Sequence, residues 1–260
     1  MQDFIQFDAQ YIDCDDAKIA YYTFGQGEPL VLLHGNGESS KYFAGCIPYL
    51  SHFYRVIAVD SRGHGQSERG MEKLNFDRMA EDLHIIFDTL GLEKAHVLGF
   101  SDGGNLAIKF ALLYPQHVDK LILNGANVSL RGVVPWVQLP VYPAIGVLSV
   151  LSPFHANLRK KRDVLGLMAH GYGVRLRDLQ LIEQPVLMIV GDHDMIYAEH
   201  TQRMAEQMPD VQLAVLNGSH FIAAESPARF CLNCLKFLRG EIVPDAVAWE
   251  WSVCDEKANR

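Results

Sequence analysis

Short apolar runs alternate with helical patterns along most of the chain. Six runs have the β-branched and aliphatic character of strands buried on both faces: LVLLH (30–34), YRVIAVD (54–60), AHVLGF (95–100), DKLILNG (119–125), PVLMIVG (185–191) and VQLAVL (211–216). The clearest helix has apolar residues at three- and four-residue steps from Phe76 to Leu90 and stops at Gly91. This alternation predicts a doubly wound α/β fold, with flanking helices on a mostly parallel central sheet.

Three regions depart from the alternation. FIQFDAQYID and KIAYYTFG flank an Asp-rich turn and predict an opening antiparallel hairpin. Between residues 127 and 180 the alternation lapses over a stretch too long for a loop, which predicts a small helical cap inserted into a core of residues 1–126 and 181–240. Residues 241–260 have no clear period, and we expect a weakly packed tail or an oligomer contact, with Trp249 and Trp251 as its large apolar anchors.

An apolar run at 133–154 has enough residues for a helix that crosses a membrane. It contains four prolines, each lacking a backbone donor, so it predicts a folded-over lid or an interfacial segment rather than a stable membrane insertion. The first residues show no basic region followed by an apolar one, so no secretory signal is indicated. We therefore expect a cytoplasmic protein.

Charge and cysteine content narrow the class of protein further. The formal charge of −8 gives no basic surface of the kind that binds phosphate backbones, so nucleic acid is not an expected partner. Five scattered cysteines fit reduced thiols better than disulfides. Cys231 and Cys234 form a C-x-x-C within a helical pattern, which favours packing in the core over redox or metal chemistry. The sequence leaves monomer and dimer both open.

The pentapeptide Gly99-Phe100-Ser101-Asp102-Gly103 follows a predicted strand and precedes a predicted helix. A sharp strand-to-helix turn needs glycines around the serine, so that the backbone folds tightly while the hydroxyl stays accessible. In this context the pattern predicts that Ser101 is a nucleophile.

A serine nucleophile needs a base and an acid that orients the base. His220 follows the run VQLAVL and is the predicted base, since the other histidines we considered fall in glycine-rich loops, strands or helices. Asp192 and Asp194 both follow the run PVLMIVG, and either could be the acid. His193 and His200 beside them match no specific pattern of metal ligands, so no metal is expected.

Two backbone N–H groups are candidates for an oxyanion hole. His34-Gly35-Asn36-Gly37 forms a flexible turn after a strand, and the N–H of Asn36 is the predicted donor there. The N–H of Asp102 is the second predicted donor, because such holes normally use the residue after the nucleophile. The Asp102 carboxylate has two possible roles, pairing with a cationic substrate group or hydrogen bonding within its turn, and we favour the second.

The strings LLHGNG, DSRGHGQS, GFSDGG, GDHD and GSHF, in this order, resemble the α/β-hydrolase superfamily over residues 18–240. The resemblance implies a Ser-Asp-His triad in which the acid ends a G-x-x-D turn, which favours Asp194 with Asp192 as the second choice. It also implies that Arg62 and His64 are structural. Serine at position 101 disfavours the dehalogenases and epoxide hydrolases of this superfamily, which use an aspartate nucleophile.

The resulting expectation is a serine hydrolase that cleaves an ester or related acyl bond of a small, largely apolar substrate, without a cofactor. The subgroup stays open among carboxylesterases, iminopeptidase-like enzymes, carbon–carbon bond hydrolases, cofactor-free haloperoxidases and amino-acid ester hydrolases similar to valacyclovir hydrolase. A ligand sensor that keeps the fold without turnover is the alternative from another class, because a fold alone does not define a function.

Overall fold

The computed structural model of the protein describes residues 5–247, apart from the side chains of Phe154 and Ala156. Within them, eight strands form one sheet: β1 (Gln10–Cys14), β2 (Ala17–Phe24), β3 (Pro29–Leu33), β4 (Arg55–Val59), β5 (Ala95–Phe100), β6 (Val118–Asn124), β7 (Val186–His193) and β8 (Val211–Ser219). Their order across the sheet is β1-β2-β4-β3-β5-β6-β7-β8. The pairs β1/β2 and β2/β4 are antiparallel and all the others are parallel. The predicted opening hairpin and mostly parallel sheet are confirmed.

The helices of the described residues are α1 (Ile47–Leu50), α2 (Phe76–Thr89), α3 (Asp102–Leu113), α4 (Pro135–Gln138), α5 (Val141–Leu151), α6 (Ala156–His170), α7 (Ala198–Gln207), α8 (Ile222–Glu225) and α9 (Pro227–Leu238). Short 3-10 turns cover Ser40–Gly45, Pro115–His117, Leu130–Gly132, Ser152–Phe154 and Leu176–Leu181. The helix predicted from Phe76 is α2. It begins where the Asn75 side chain accepts a hydrogen bond from the N–H of Arg78 (2.8 Å).

The sheet separates two apolar cores, because successive side chains of a strand point to opposite faces. On β3, Val31 and Leu33 join the core beneath α2 and α3. Leu30 and Leu32 join the opposite core, beneath α1 and α9. Cys231 and Cys234 of α9 are fully buried in this second core and carry free thiols, so they pack there as small apolar side chains.

The order of the strands creates a crevice at one edge of the sheet. β3 and β5 are neighbours in the sheet. After β3 the chain continues to β4 on one side, and after β5 it continues to β6 on the other side, so the two connections diverge at the carboxyl ends of these strands. Ligand sites of open α/β sheets form at such switch points. The residues after β3, β5, β7 and β8 meet along this edge.

Arg62, in the loop after β4, is a buried cation that joins three elements. Its guanidinium forms two hydrogen bonds with Asp82 of α2 (2.6 and 2.7 Å), one with Asp16 in the β1–β2 turn (2.5 Å) and one with the Cys14 carbonyl (3.0 Å). The side chain is only 1% exposed. Arg62 thereby fixes the opening hairpin and α2 to the loop that follows β4.

The segment between β6 and β7 contains α4, α5 and α6, in the region where the sequence predicts an inserted cap. Side-chain and backbone hydrogen bonds join it to the rest of the chain. Asp163 of α6 accepts a hydrogen bond from Arg69 Nε (2.6 Å), and the Val164 carbonyl accepts one from Asn36 Nδ2 (2.7 Å). The N–H of Val134 donates to the Met195 carbonyl (3.0 Å), and the N–H of Tyr197 donates to the Gly132 carbonyl (2.8 Å). The role of α4, α5 and α6 as a cap over the site stays a prediction.

The tail after residue 240 packs more closely than expected as far as it is described. Val243 is buried, Ala246 bridges to Ala214, and the N–H of Val247 donates to the Leu213 carbonyl (2.9 Å) on β8. Trp249 and Trp251, the predicted anchors of the tail, lie outside the described residues. No helix among residues 5–247 is long and apolar enough to cross a bilayer.

Candidate active site

Ser101 lies at a sharp turn between β5 and α3, with φ 53° and ψ −119°. A non-glycine residue rarely adopts a positive φ, and the tight packing of its neighbours imposes it here. A Cβ atom on Gly99 would lie 2.2 Å from the Gly103 carbonyl oxygen, and one on Gly103 would lie 2.1 Å from the Leu33 oxygen. The two glycines of the motif are therefore required by close backbone approach, as the sequence pattern predicts.

His220 and Asp194 form a buried pair after β8 and β7. His220 Nδ1 lies 2.7 Å from Asp194 Oδ1, and the two side chains are 4% and 3% exposed. Asp194 Oδ1 also accepts a hydrogen bond from the N–H of Ile196 (2.9 Å). Gly125, after β6, leaves room for the ring, since a Cβ there would lie 2.7 Å from His220 Cε1. The pair holds the imidazole with Nδ1 on the carboxylate and Nε2 free for proton transfer.

Ser101 Oγ and His220 Nε2 have no hydrogen-bond partner among the described residues. Catalytic hydrogen bonds of unliganded enzymes are often long and tighten in the substrate complex. The order of the three residues on the carboxyl edge of the sheet, after β5, β7 and β8, is the order that a nucleophile-elbow site requires.

Asp192, the second choice for the acid, lies near the end of β7 and contacts the end of β8. It accepts hydrogen bonds from the N–H of Gly218 (2.9 Å), from Asn217 Nδ2 (3.0 Å) and from the His193 ring (2.7 Å). These donors, the Gly218 N–H first among them, lower the pKa of Asp192 to about 2. Of the two aspartates, Asp194 is the one that contacts His220.

The turn after β3 presents the N–H group predicted for the oxyanion hole. The N–H of Glu38 donates to the Gly35 carbonyl (3.3 Å), and Gly37 has a φ of 74°, so Asn36 lies at the tip of a tight turn. The N–H groups of Asn36 and Asp102 donate to no acceptor among the described residues. The Asp102 N–H belongs to the first turn of α3, where the helix dipole favours negative charge.

The Asp102 side chain hydrogen bonds to two side chains, one of them in the first turn of α3, and not to the backbone of its turn. Its carboxylate accepts hydrogen bonds from Asn36 Nδ2 (2.9 Å) and Asn105 Nδ2 (3.3 Å). Burial raises the pKa of Asp102 to about 6, because the two amide donors only partly replace the lost water. The side chain thus joins the Asn36 turn to α3.

A network of side chains extends from Asp102 toward the inserted segment. The Asn105 side-chain oxygen accepts a hydrogen bond from the N–H of Asn127 (2.8 Å), and Asn127 Nδ2 donates to the hydroxyl of Tyr172. The sequence analysis did not predict this network. The residues that link it are neutral asparagines in unrelated stretches, and only the run GFSDGGN indicates that Asn105 lies one helical turn from Ser101.

Glu38 is a second carboxyl group near His220 that the sequence analysis did not single out. Its Oε2 accepts a hydrogen bond from the N–H of Gly35 (3.3 Å), and Phe100 packs against both His220 (4.9 Å between ring centroids) and Tyr42 (4.1 Å). Burial raises the pKa of Glu38 to about 7, with His220 as the charged group that opposes the shift. A cavity of about 400 Å³ adjoins Glu38 and Tyr42.

The other histidines of the loops have structural contacts. His34 Nε2 accepts a hydrogen bond from the N–H of Ser61 (3.0 Å), and His64 Nδ1 lies 3.0 Å from the Arg62 carbonyl. His193 and His200 do not join a metal-like cluster. Within residues 5–247, the one grouping of three metal-type side chains is His84, Asp88 and His117, on α2 and the turn after α3.

A sequence model described as the alpha/beta hydrolase fold matches residues 28–145. The 2-hydroxy-6-oxononadienedioate/2-hydroxy-6-oxononatrienedioate hydrolase of Burkholderia vietnamiensis is 31% identical over 273 residues, covering 87% of this chain and 93% of that protein. The chain belongs to the α/β-hydrolase fold family and is a hydrolase of that fold.

Two solved structures show how differently named relatives share this fold. The carboxylesterase CesB of Bacillus subtilis superposes with a TM-score of 0.73 at 25% identity, covering 92% of this chain and 93% of that one. The meta-cleavage product hydrolase of Pseudomonas fluorescens IP01 superposes with a TM-score of 0.74 at 25% identity, covering 89% and 98%. This chain is similar to an ester hydrolase and to a meta-cleavage product hydrolase to nearly the same degree.

Proposed function

We propose that the protein is a serine hydrolase that cleaves a carboxylic ester, or a related acyl bond, of a small and largely apolar substrate. The observation that supports this most directly is the buried His220–Asp194 pair on the same sheet edge as the strained Ser101 turn. A base fixed by a carboxylate is the arrangement that activates a serine hydroxyl.

In the proposed reaction, Ser101 Oγ attacks the carbonyl carbon while His220 Nε2 takes the hydroxyl proton. The Asp194 carboxylate keeps the imidazole in the correct tautomer and stabilises the imidazolium. The N–H groups of Asn36 and Asp102 stabilise the oxyanion. The alcohol leaves with the proton held by His220, and water then attacks the acyl-enzyme by the reverse sequence of proton transfers.

The charges around the site favour a neutral ester over a dicarboxylate substrate. Asp102 and Glu38 are the carboxyl groups that hydrogen bond to the turn after β3. A dianionic dienedioate of the kind named for the Burkholderia relative would be repelled by these carboxyl groups in their ionised forms.

The first test is the hydrolysis of short-chain p-nitrophenyl esters by the wild type and by Ser101→Ala. We expect kcat to fall by at least about ten-thousand-fold in the variant, and a fluorophosphonate to label the wild type only. Activity that survives in Ser101→Ala would refute the proposal.

A matched pair of aspartate variants tests the acid. Asp194→Asn should reduce kcat by about ten-thousand-fold, because the imidazole then takes the wrong tautomer. Asp192→Asn should affect stability and leave kcat within about threefold, since Asp192 contacts the end of β8 and not His220. The reverse result would make Asp192 the acid.

Hydrolysis of amino-acid esters is a second candidate, and the two carboxyl groups near Ser101 favour it. A substrate ammonium group could pair with Asp102 or Glu38. Asp102→Asn distinguishes the candidates when kcat/KM is measured for paired amino-acid and neutral esters. A loss confined to amino-acid esters supports pairing, whereas an equal loss on both assigns Asp102 to the network with Asn36 and Asn105.

Carbon–carbon bond hydrolysis completes the substrate panel, because the sequence leaves that subgroup open and the Burkholderia relative is named as the hydrolase of a 2-hydroxy-6-oxo dienedioate. A 2-hydroxy-6-oxodienoate turned over faster than every ester would replace ester hydrolysis as the main activity and leave the triad proposal unchanged.

A further inference from the structure

The helices between β6 and β7 present an unusually apolar outer surface. We call apolar patch the six large hydrophobic side chains that are exposed between residues 136 and 151: Trp136 (74%), Leu139 (64%), Tyr142 (48%), Val147 (60%), Val150 (71%) and Leu151 (44%). No lysine, arginine, aspartate or glutamate occurs from residue 132 to residue 154. Compact apolar surfaces of this kind usually mark a site of interaction.

The apolar patch belongs to an outer layer of the described molecule. Of the eleven residues of α5, only Val141 is buried. The main contacts of α5 are with α6, α4 and the Ser152–Phe154 turn, and not with the sheet. The hydrophobic side chains of α5 therefore contribute little to the core and remain available to a partner.

A cluster of basic residues lies beside the patch, at the start of α6. We call basic cluster the four consecutive residues Arg159, Lys160, Lys161 and Arg162. Arg162 pairs with Asp163 and donates to Ser152 Oγ (3.0 Å), whereas the first three form no ion pair with any described residue. This local positive charge contrasts with the net charge of −8 of the whole chain.

An apolar helix face beside uncompensated basic residues matches the surface of an anionic bilayer. Aromatic and aliphatic side chains enter the boundary between headgroups and acyl chains, while lysine and arginine attract acidic headgroups. A second copy of the chain is the competing occupant of the patch, and the test below distinguishes the two.

We propose that the apolar patch and the basic cluster dock this protein reversibly on anionic phospholipid membranes. At about 1.5 Å per residue, α5 is roughly 16 Å long, about half of the hydrocarbon thickness, so it lies in the interface and does not span it. This docking does not depend on the chemistry proposed for Ser101.

The test is co-sedimentation with large unilamellar vesicles of phosphatidylcholine, with and without about one third phosphatidylserine. We expect the wild type to bind the anionic vesicles at least about tenfold more tightly than the neutral ones, and added salt to weaken the binding. Val147→Glu/Val150→Glu and, separately, Arg159→Gln/Lys161→Gln should each weaken it by about tenfold or more.

Two controls keep the result specific. Leu232→Glu/Ile242→Glu adds the same charges at exposed apolar residues of α9 and the segment after it, and should bind vesicles as the wild type does. Ser101→Ala should also bind as the wild type, while Val147→Glu/Val150→Glu should keep its rate on a soluble ester. Docking and chemistry can thus fail independently.

Three outcomes would overturn the proposal. The first is equal binding to neutral and anionic vesicles. The second is unchanged binding by Val147→Glu/Val150→Glu, with circular dichroism showing a folded protein. The third is a dimer in analytical ultracentrifugation that dissociates in this variant, which would assign the apolar patch to contact between two copies of the chain.

Discussion

Glu38 shows how one residue can couple pH to the stability of the site. Its ordinary pKa is 4.5, and burial raises this pKa to about 7 in the folded protein. Between these values the folded state retains a proton that the unfolded state has lost. The free energy of unfolding therefore falls as pH rises from about 4.5 to about 7, and this loss is complete above that range.

Glu38→Gln removes this titration. We expect the variant to gain stability relative to the wild type as pH rises from about 4.5 to 7, with a constant difference above pH 7. Urea unfolding across this range measures the difference, and Glu206→Gln, on the exposed face of α7, is the control. Parallel pH profiles of the wild type and Glu38→Gln would contradict this prediction.

Among individual residues, the sequence predicted those that lie in recognisable motifs. It missed those whose role depends on contacts between distant parts of the chain. Ser101, Asp194 and His220 were singled out because each follows a strand in a recognisable turn. The partners of Asp102 were not predicted, because Asn36 is 66 residues away and only the fold brings the two together. Glu38 occurs in an ordinary polar turn, and nothing in its sequence context shows that the fold buries it.

Arg62 belongs to the scale of elements, because its cation holds together the opening hairpin, the loop after β4 and α2. Arg62→Met should destabilise the protein by about 3–5 kcal/mol, since it leaves the buried carboxylate of Asp82 without its main partner. Guanidinium unfolding measures this loss. Arg175→Met, which breaks an exposed pair with Asp178, should leave the stability nearly unchanged.

A double variant provides the check on this explanation. Arg62→Met/Asp82→Leu should recover part of the loss, because it removes the buried Asp82 carboxylate that Arg62→Met alone leaves without its main partner. If the double variant is less stable than Arg62→Met alone, packing and not charge accounts for the role of Arg62.

Hydrophobic patterns predicted most of the elements but not their arrangement. β5 and β6 are apolar on both faces, and α2 has a helical period that ends before Gly91, so each was visible as an isolated segment. The position of β4 between β2 and β3 was not, because strand order depends on pairing between distant segments. For the same reason, the sequence did not show that Arg62 pairs with Asp16 and Asp82.

At the scale of the described residues, the molecule has a sheet-based body and the segment between β6 and β7, which side-chain and backbone hydrogen bonds join. The pair between Arg69 and Asp163 is one of them, and both side chains are largely buried. Asp163→Asn weakens this contact by removing the negative charge. The segment should then open more often while the body stays folded.

Trypsin provides the measurement, because the basic cluster on α6 supplies its cleavage sites. We expect cleavage at residues 159–162 to accelerate several-fold in Asp163→Asn, with only a small shift in the thermal midpoint of the whole protein. Asp178→Asn, which alters an exposed pair on the same segment, is the matched control. Equal cleavage rates in Asp163→Asn and the wild type would show that other contacts hold α6 in place.

The backbone of Ser101 has a consequence for protein engineering. A side chain held at this unfavourable φ costs about 1–3 kcal/mol, so the fold gives up stability where the proposed chemistry occurs. Glycine relieves that strain and alanine does not, although the flexibility of glycine in the unfolded chain offsets up to about 1 kcal/mol of the gain. Selection for heat resistance alone should therefore favour glycine at position 101, which yields a protein of higher thermal stability that lacks the proposed nucleophile. Thermostability screens of this protein therefore need an activity readout.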